Sequence, residues 1–399
     1  MAIKSVVGAD PYVMKDPVSG HYYCYCTGNS DETPFYIYQG DDLLHWKEVG
    51  YGLDRSKNDW GRGWFWAPEV YYNPNNGYYY MFYSSLVRKD LVEGYFGDEN
   101  FEECCKIGVA VSKSPKGPFV NIEDHPMDYY PYDETYRNID AVAKDPFSKE
   151  SGEIKADTLP EGVYIPTIDA DFFIDDDKRM YLYFSRCCYR NCLYDPSLHK
   201  YVEESNILGV ELDPSFWYDK EAKIQPRPTK EYIHVDENGK RKDKYVQIIS
   251  YHQEPQQWEN GHVFDYENSS HVKHNRRWSE GSMTIRRHLD GKDKYLLFYS
   301  SNNYENALYG VGASFGDKPL ERYSKYVNNP IIHQIPDFPL YSTGHGCVIE
   351  KDNETYYFFH GRENCAETRT CYFAKLHIDS LNEIYVSDIK HCELNETER

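Results

Sequence analysis

Apolar and polar positions alternate along this chain in short, aromatic-rich runs broken by turns, and one such arrangement returns five times. The copies are GADPYVMKDPVSGHYYCYCT from Gly8, WAPEVYYNPNNGYYYMFYSS from Trp66, TIDADFFIDDDKRMYLYFSR from Thr167, SEGSMTIRRHLDGKDKYLLFYSS from Ser279 and STGHGCVIEKDNETYYFFHGR from Ser342. Period-two alternation over a few residues marks half-buried strands, and clusters of Asp, Asn and Gly supply the turns between them. No segment shows a strong helical period. A unit of two strands and a turn cannot bury its own apolar face, so its recurrence predicts an array of packed units. The expected fold is all-β, a five-bladed β-propeller. The first strand of each blade then lines a central channel, which brings equivalent residues of distant repeats onto one axis. Aligned in this way, Asp10, Glu69, Asp169, Glu280 and His345 occupy matching positions.

Composition supports that architecture and adds detail. Forty Tyr and 21 Pro in 399 residues favour pleated strands and turns over long helices. A mean repeat of about 80 residues exceeds the usual blade, which predicts long loop insertions within a single catalytic domain spanning 1–399. The candidate insertions are Leu86–Lys106, Glu123–Val163, Cys187–Ile207 and Pro214–Lys244, expected as loops around the channel mouth.

A net charge of −21 repels nucleic acid and anionic membranes, and the one dense basic run, Lys240–Lys244, reads as a solvated turn. No run of about 18 apolar residues is present, and the first repeat starts almost at Met1. The expectation is a cytoplasmic protein, or a secreted one if a leader was removed, with no fixed oligomeric state. Eleven cysteines, an odd number without a disulfide-type spacing, suit a reducing compartment. A zinc site from Cys187, Cys188 and Cys192 is conceivable, but ordinary reduced or buried thiols are the favoured reading.

The channel positions carry the chemistry. Cleaving a glycosidic bond takes one carboxylic acid to protonate the leaving oxygen and one carboxylate on the other side of the sugar. Asp10 follows Gly-Ala and precedes Pro, free of helix-capping duty. Glu280 lies in WSEGSM, where Gly281 permits close approach and apolar neighbours can raise a carboxyl pKa. Asp169, flanked by Ile168 and Phe172, reads as partly buried, whereas Asp175–Asp177 read as a hairpin turn. Trp60, Trp64 and Trp66 crowd one segment, suited either to stacking on a sugar or to packing between blades. Arg362 can donate paired hydrogen bonds to sugar hydroxyls or form a structural ion pair.

In these motifs, from the Asp-Pro of the first repeat to the HGR of the fifth, the chain resembles glycoside hydrolase family 43. The resemblance implies a five-bladed propeller and an inverting enzyme acting on xylans, arabinans and related plant polysaccharides. It implies Asp10 as general base, Asp169 as the residue that tunes and orients the acid, and Glu280 as general acid. The WAPEV segment, Trp66–Val70, matches the family's second-blade signature. His345 in TGHG matches an axial histidine that in many members faces a cation or its waters, so a channel calcium held through water is expected as an option, with no cofactor required for the chemistry. Ser282 and Ala170 stand where the family often has Pro. The expected activity is release of a terminal xylose or arabinose from oligosaccharides, with Trp66, Glu69, Arg362 and His345 as sugar contacts. The alternatives are an endo-arabinanase of the same family and a non-catalytic glycan-binding propeller.

Overall fold

A computed structural model describes residues 4–138, 161–187, 191–264, 273–335 and 337–395. Its strands form five sheets, and the innermost strands are Ala9–Lys15, Gly61–Asn73, Thr167–Ile174, Lys273–Leu289 and Tyr341–Lys351. Each begins or contains one of the five sequence repeats. The fold is the expected all-β propeller with five blades. The second strands, such as Tyr78–Val87 and Met180–Arg186, are buried almost throughout because neighbouring blades cover both faces. Such strands read as continuous apolar runs, as in YMFYSS, while the innermost strands keep polar residues toward the channel.

The ring closes between the chain ends. Glu393–Leu394 pairs in parallel with His45–Tyr51 of the first sheet and antiparallel with Lys4–Ser5. The last strand thus belongs to the first blade.

Every innermost strand breaks register around a residue with a left-handed backbone, and the second and fifth carry one more each, Trp64 (φ 56°) and Ser342 (51°). The equivalent residues of the five strands are Asp10 (φ 53°), Ala67 (49°), Asp169 (56°), Gly281 (58°) and His345 (42°). The pairing shifts flank them in each blade. A bulge of this kind inserts an unpaired residue and re-aims the side chains beside it. It also corrects the alignment made from sequence. Asp10, Asp169 and His345 are equivalent, but Glu280 stands one residue before the bulged position and Glu69 two residues after it. A period of two cannot register a one-residue slip, because the motif still looks like a strand.

The insertions do more than form loops. Leu86–Lys106 contains the helix Lys89–Phe96, whose Val92, Tyr95 and Phe96 pack into the main core. Tyr132–Asn138, Glu161–Tyr164, Asn191–Asp195 and Lys200–Ser205 add strands that extend the fourth blade into a nine-stranded sheet. Pro214–Lys244 remains mostly irregular, apart from the short helix Ser215–Tyr218.

Candidate active site

The five bulges are tied together by one recurring hydrogen bond. The backbone N–H of each left-handed residue donates to a side chain on the second strand of the preceding blade. Ala67 donates to Thr27 Oγ1 (2.8 Å), Asp169 to Ser84 Oγ (2.9 Å), Gly281 to Ser185 Oγ (3.1 Å) and His345 to Ser300 Oγ (2.6 Å). Asp10 closes the circle by donating to His360 Nδ1 (3.1 Å). All five acceptors pair across the sheet with the residue just before a bulge. The loop of bonds holds a left-handed backbone at five places around the channel; at the four that are not glycine this conformation is strained and persists only if the surroundings fix it.

Three carboxyls emerge from this ring. Asp10 Oδ2 accepts from Thr27 Oγ1 (2.7 Å), and its Oδ1 lies 3.3 Å from His345 Nδ1 and 3.6 Å from Arg369 Nη1. Burial alone would raise its pKa, but His345, His360 and Arg369 outweigh it and hold the group well below the usual carboxylate range. His360 itself is pushed down to about 4, chiefly by burial. A neutral His360 whose Nδ1 accepts the Asp10 amide cannot donate to the carboxylate through that atom, which leaves the facing His345 ring and the Arg369 guanidinium as partners of the Asp10 carboxylate.

Glu280 is half-buried and held at both oxygens, by Trp278 Nε1 (2.7 Å) and Tyr309 Oη (2.6 Å). Burial raises its pKa in spite of those two donors, and the Asp10 charge adds to the rise. Asp169 Oδ2 accepts from the Gly281 N–H (3.1 Å) and Ser185 Oγ (3.3 Å), which fixes the backbone that carries Glu280. Burial, then the charges of Glu280 and Asp10, lift its pKa to about 7 against the pull of His345. Asp169 and Glu280 therefore resist losing both protons together.

Gly281 is required where it stands. Its φ of 58° suits glycine, and a Cβ there would come within 2.7 Å of the His345 ring. His345 packs over it with Nδ1 facing Asp10 (3.3 Å) and Asp169 (4.0 Å). Glu69 lies one step further along the channel, buried, bonded to Tyr71 Oη, with its pKa raised by burial and by Asp171. Sequence aligned it with Asp10, Asp169 and Glu280 and took it as a sugar contact; in the structure its carboxyl lies close enough to Asp171 to feel that charge.

At the mouth, Trp64 and Trp66 stack at 5.0 Å and 14°, and Trp64 is 38% exposed. Trp60 is fully buried against Tyr83 and serves packing. Arg362 donates to the Cys365 carbonyl (2.8 Å) and makes no ion pair among the described residues.

The profile of glycosyl hydrolases family 43 matches residues 2–153, which include Asp10 and the Trp66–Val70 segment. Over that stretch the chain is similar to glycosyl hydrolases family 43. A thermostable family-43 glycoside hydrolase superposes with a TM-score of 0.63 at 23% identity, covering 100% of this chain and 99% of that one. An endo-1,4-beta-xylanase from Bacteroides thetaiotaomicron gives 0.62 at 25%, covering 99% and 100%. An alpha-L-arabinanase from Cellvibrio cellulosa, complexed with arabinohexaose, gives 0.56 at 14%, covering 96% of each. None of the curated proteins matches the chain.

Sequence reasoning missed the residues that hold the carboxyls. Ser84, Ser185 and Ser300 recur at the ends of MFYSS, YLYFSR and LLFYSS, and that recurrence was the available signal. Thr27 and His360 fill the same place with other chemistry, which hid the pattern. Arg369 and Tyr309 lie outside the repeats. Of the zinc candidates, Cys188 lies outside the described residues, and Cys192 is buried with its thiol toward the Arg137 carbonyl (3.8 Å). Among the described residues, the only group of three or more His, Cys, Asp or Glu donors close enough to share one ion is Cys24, Cys26 and Cys371. A calcium beside His345 would therefore be held through waters, with the oxygens of Asp10 and Asp169 nearby.

Proposed function

We propose that this glycosidase removes a terminal pentose, xylose or arabinose, from oligosaccharides derived from plant polysaccharides, in one inverting displacement. The observation that carries the reading is the opposed tuning of two carboxyls in one channel, with Asp10 kept ionised and Glu280 pushed toward its acid form. Groups driven apart by their surroundings divide into base and acid. Asp10 takes a proton from water at the anomeric carbon while Glu280 gives its proton to the leaving oxygen. Asp169 orients Glu280 through the Gly281 amide and favours its protonated form.

Two features support a pocket over an open groove. The innermost strands of the second and fourth blades each begin six residues before the bulge, at Gly61, or earlier, at Lys273. At about 3.3 Å per residue the two rise roughly 20 Å and roughly 26 Å above the catalytic level. The fourth-blade wall is thickened by Lys200–Ser205, paired in parallel from Glu203 to Ser205 with Arg276 to Trp278. The stacked Trp64 and Trp66 offer a face for a sugar ring, and Arg362 would donate to its hydroxyls. His345 faces the sugar or, through water, a calcium ion that stabilises the channel.

A panel of nitrophenyl pentosides and hexosides, read beside linear arabinan and xylo-oligosaccharides, tests this. Monosaccharide should appear first from oligosaccharides, and pentosides should be cleaved in preference to hexosides. Early release of mixed oligomers from linear arabinan would instead identify an endo-arabinanase. Absence of turnover on every substrate would leave a glycan-binding propeller.

A further inference from the structure

The geometry points to a metal site at the seam where the propeller closes: Cys24, Cys26 and Cys371 together bind one thiophilic d10 cation, copper(I) or zinc(II). Cys24 and Cys26 lie on the second strand of the first blade, and Cys371 on the third strand of the fifth. Cys26 Sγ is 3.6 Å from both Cys24 Sγ and Cys371 Sγ, and all three sulfurs lie within 4.8 Å of one another. Metal–thiolate bonds of about 2.3 Å around a shared ion set sulfurs roughly 3.8 to 4.0 Å apart. Closing the trio on an ion thus takes shifts of a few tenths of an ångström.

Touching thiols pack at a similar spacing, so the distances alone do not decide. Two further facts do. The donors are all sulfur, which selects soft ions over calcium or magnesium. They come from two blades and meet at one point inside an apolar cluster, as ligands do and as scattered core cysteines need not.

All three residues are at most 1% exposed, which leaves no room for a water ligand. Three-coordinate copper(I) needs none. Zinc(II) would complete a tetrahedron with the Gly8 carbonyl, which Cys371 Sγ already approaches at 4.0 Å. Gly8 is pressed against the site, since a Cβ there would meet Cys26 Cβ at 2.4 Å. Binding releases thiol protons to solvent and joins residues 345 positions apart. The bound ion would clip the fifth blade to the first, two residues from Asp10. This site is independent of the sugar specificity and of the hydrolytic reading.

The test loads reduced, metal-stripped protein with zinc(II) alone or with copper(I) alone, against a chromophoric competitor, and measures stoichiometry and melting temperature. One equivalent of one of the two ions should bind and raise the melting temperature, and the two arms identify which ion it is. Cys24→Ser and Cys371→Ser should bind none at the same competitor concentration. Cys105→Ala, altered in a separate core cluster, should keep one equivalent. Should the serine variants not fold, X-ray absorption on loaded wild-type protein should find three sulfur neighbours. No binding of either ion, unchanged stoichiometry in the folded serine variants, or a first shell of nitrogen and oxygen would each overturn the site.

Discussion

Asp10 and Glu280 are carboxyls of one channel, yet the His345 ring and the Arg369 guanidinium face the first while two neutral donors, Trp278 and Tyr309, hold the second. The contrast supports the proposed division into base and acid. Asp10→Asn and Glu280→Gln keep size and lose proton transfer, so each should lower kcat by about 10² to 10⁴ with an unchanged melting curve. Near-normal turnover in both variants would sink the assignment. Asp169→Asn reports on the coupling. Its charge and that of Glu280 raise each other's pKa, so removing it lets Glu280 lose its proton at lower pH. The alkaline limb of the kcat/KM profile should move to lower pH, and a limb that stays or rises would show that Asp169 only positions the Glu280 backbone.

At the scale of strands and bulges, the five-blade pattern was legible because each repeat carries its own turn and buried second strand. What the sequence could not display is the extra residue at each bulge. Glu69 and Glu280 each read as strand-start acids, yet the bulge sends one to the buried Tyr71–Asp171 layer and the other to the catalytic level. Likewise the insertions read as loops, because strands that complete a distant sheet edge show weak local periodicity. The ring of amide-to-side-chain bonds makes a prediction of its own. Ser84→Ala would strip the Asp169 N–H of its buried acceptor, at a cost of about 1 to 3 kcal/mol. Gly281→Ala forces a Cβ against the His345 ring in a left-handed conformation and should destabilise by more than about 1 kcal/mol. Thermal or urea unfolding measures both; wild-type stability in Ser84→Ala would mean that water or a neighbour replaces the lost acceptor.

Across the whole molecule, five blades place their bulges around one axis, so residues from position 10 to position 345 face one channel without any one segment forming a site, and on the proposed reading they act on a single sugar. The same arrangement separates the two reacting carboxyls, since Asp10 and Glu280 descend from the first and fourth blades with His345 of the fifth between them. A base that activates water needs carboxyl groups about 6.5 to 9.5 Å apart, whereas a nucleophile and its acid partner stand about 5 to 5.5 Å apart. With an imidazole lodged beside Asp10 and the Gly281 backbone fixed by Asp169, the wider spacing is the expected one. The first sugar released should then carry the anomeric configuration opposite to that of the bond cleaved. Proton NMR during the first minutes of hydrolysis, before mutarotation, reads this directly. Retention of configuration would instead make Asp10 a nucleophile, and in that case a slow substrate should trap it as a covalent glycosyl ester visible by mass spectrometry.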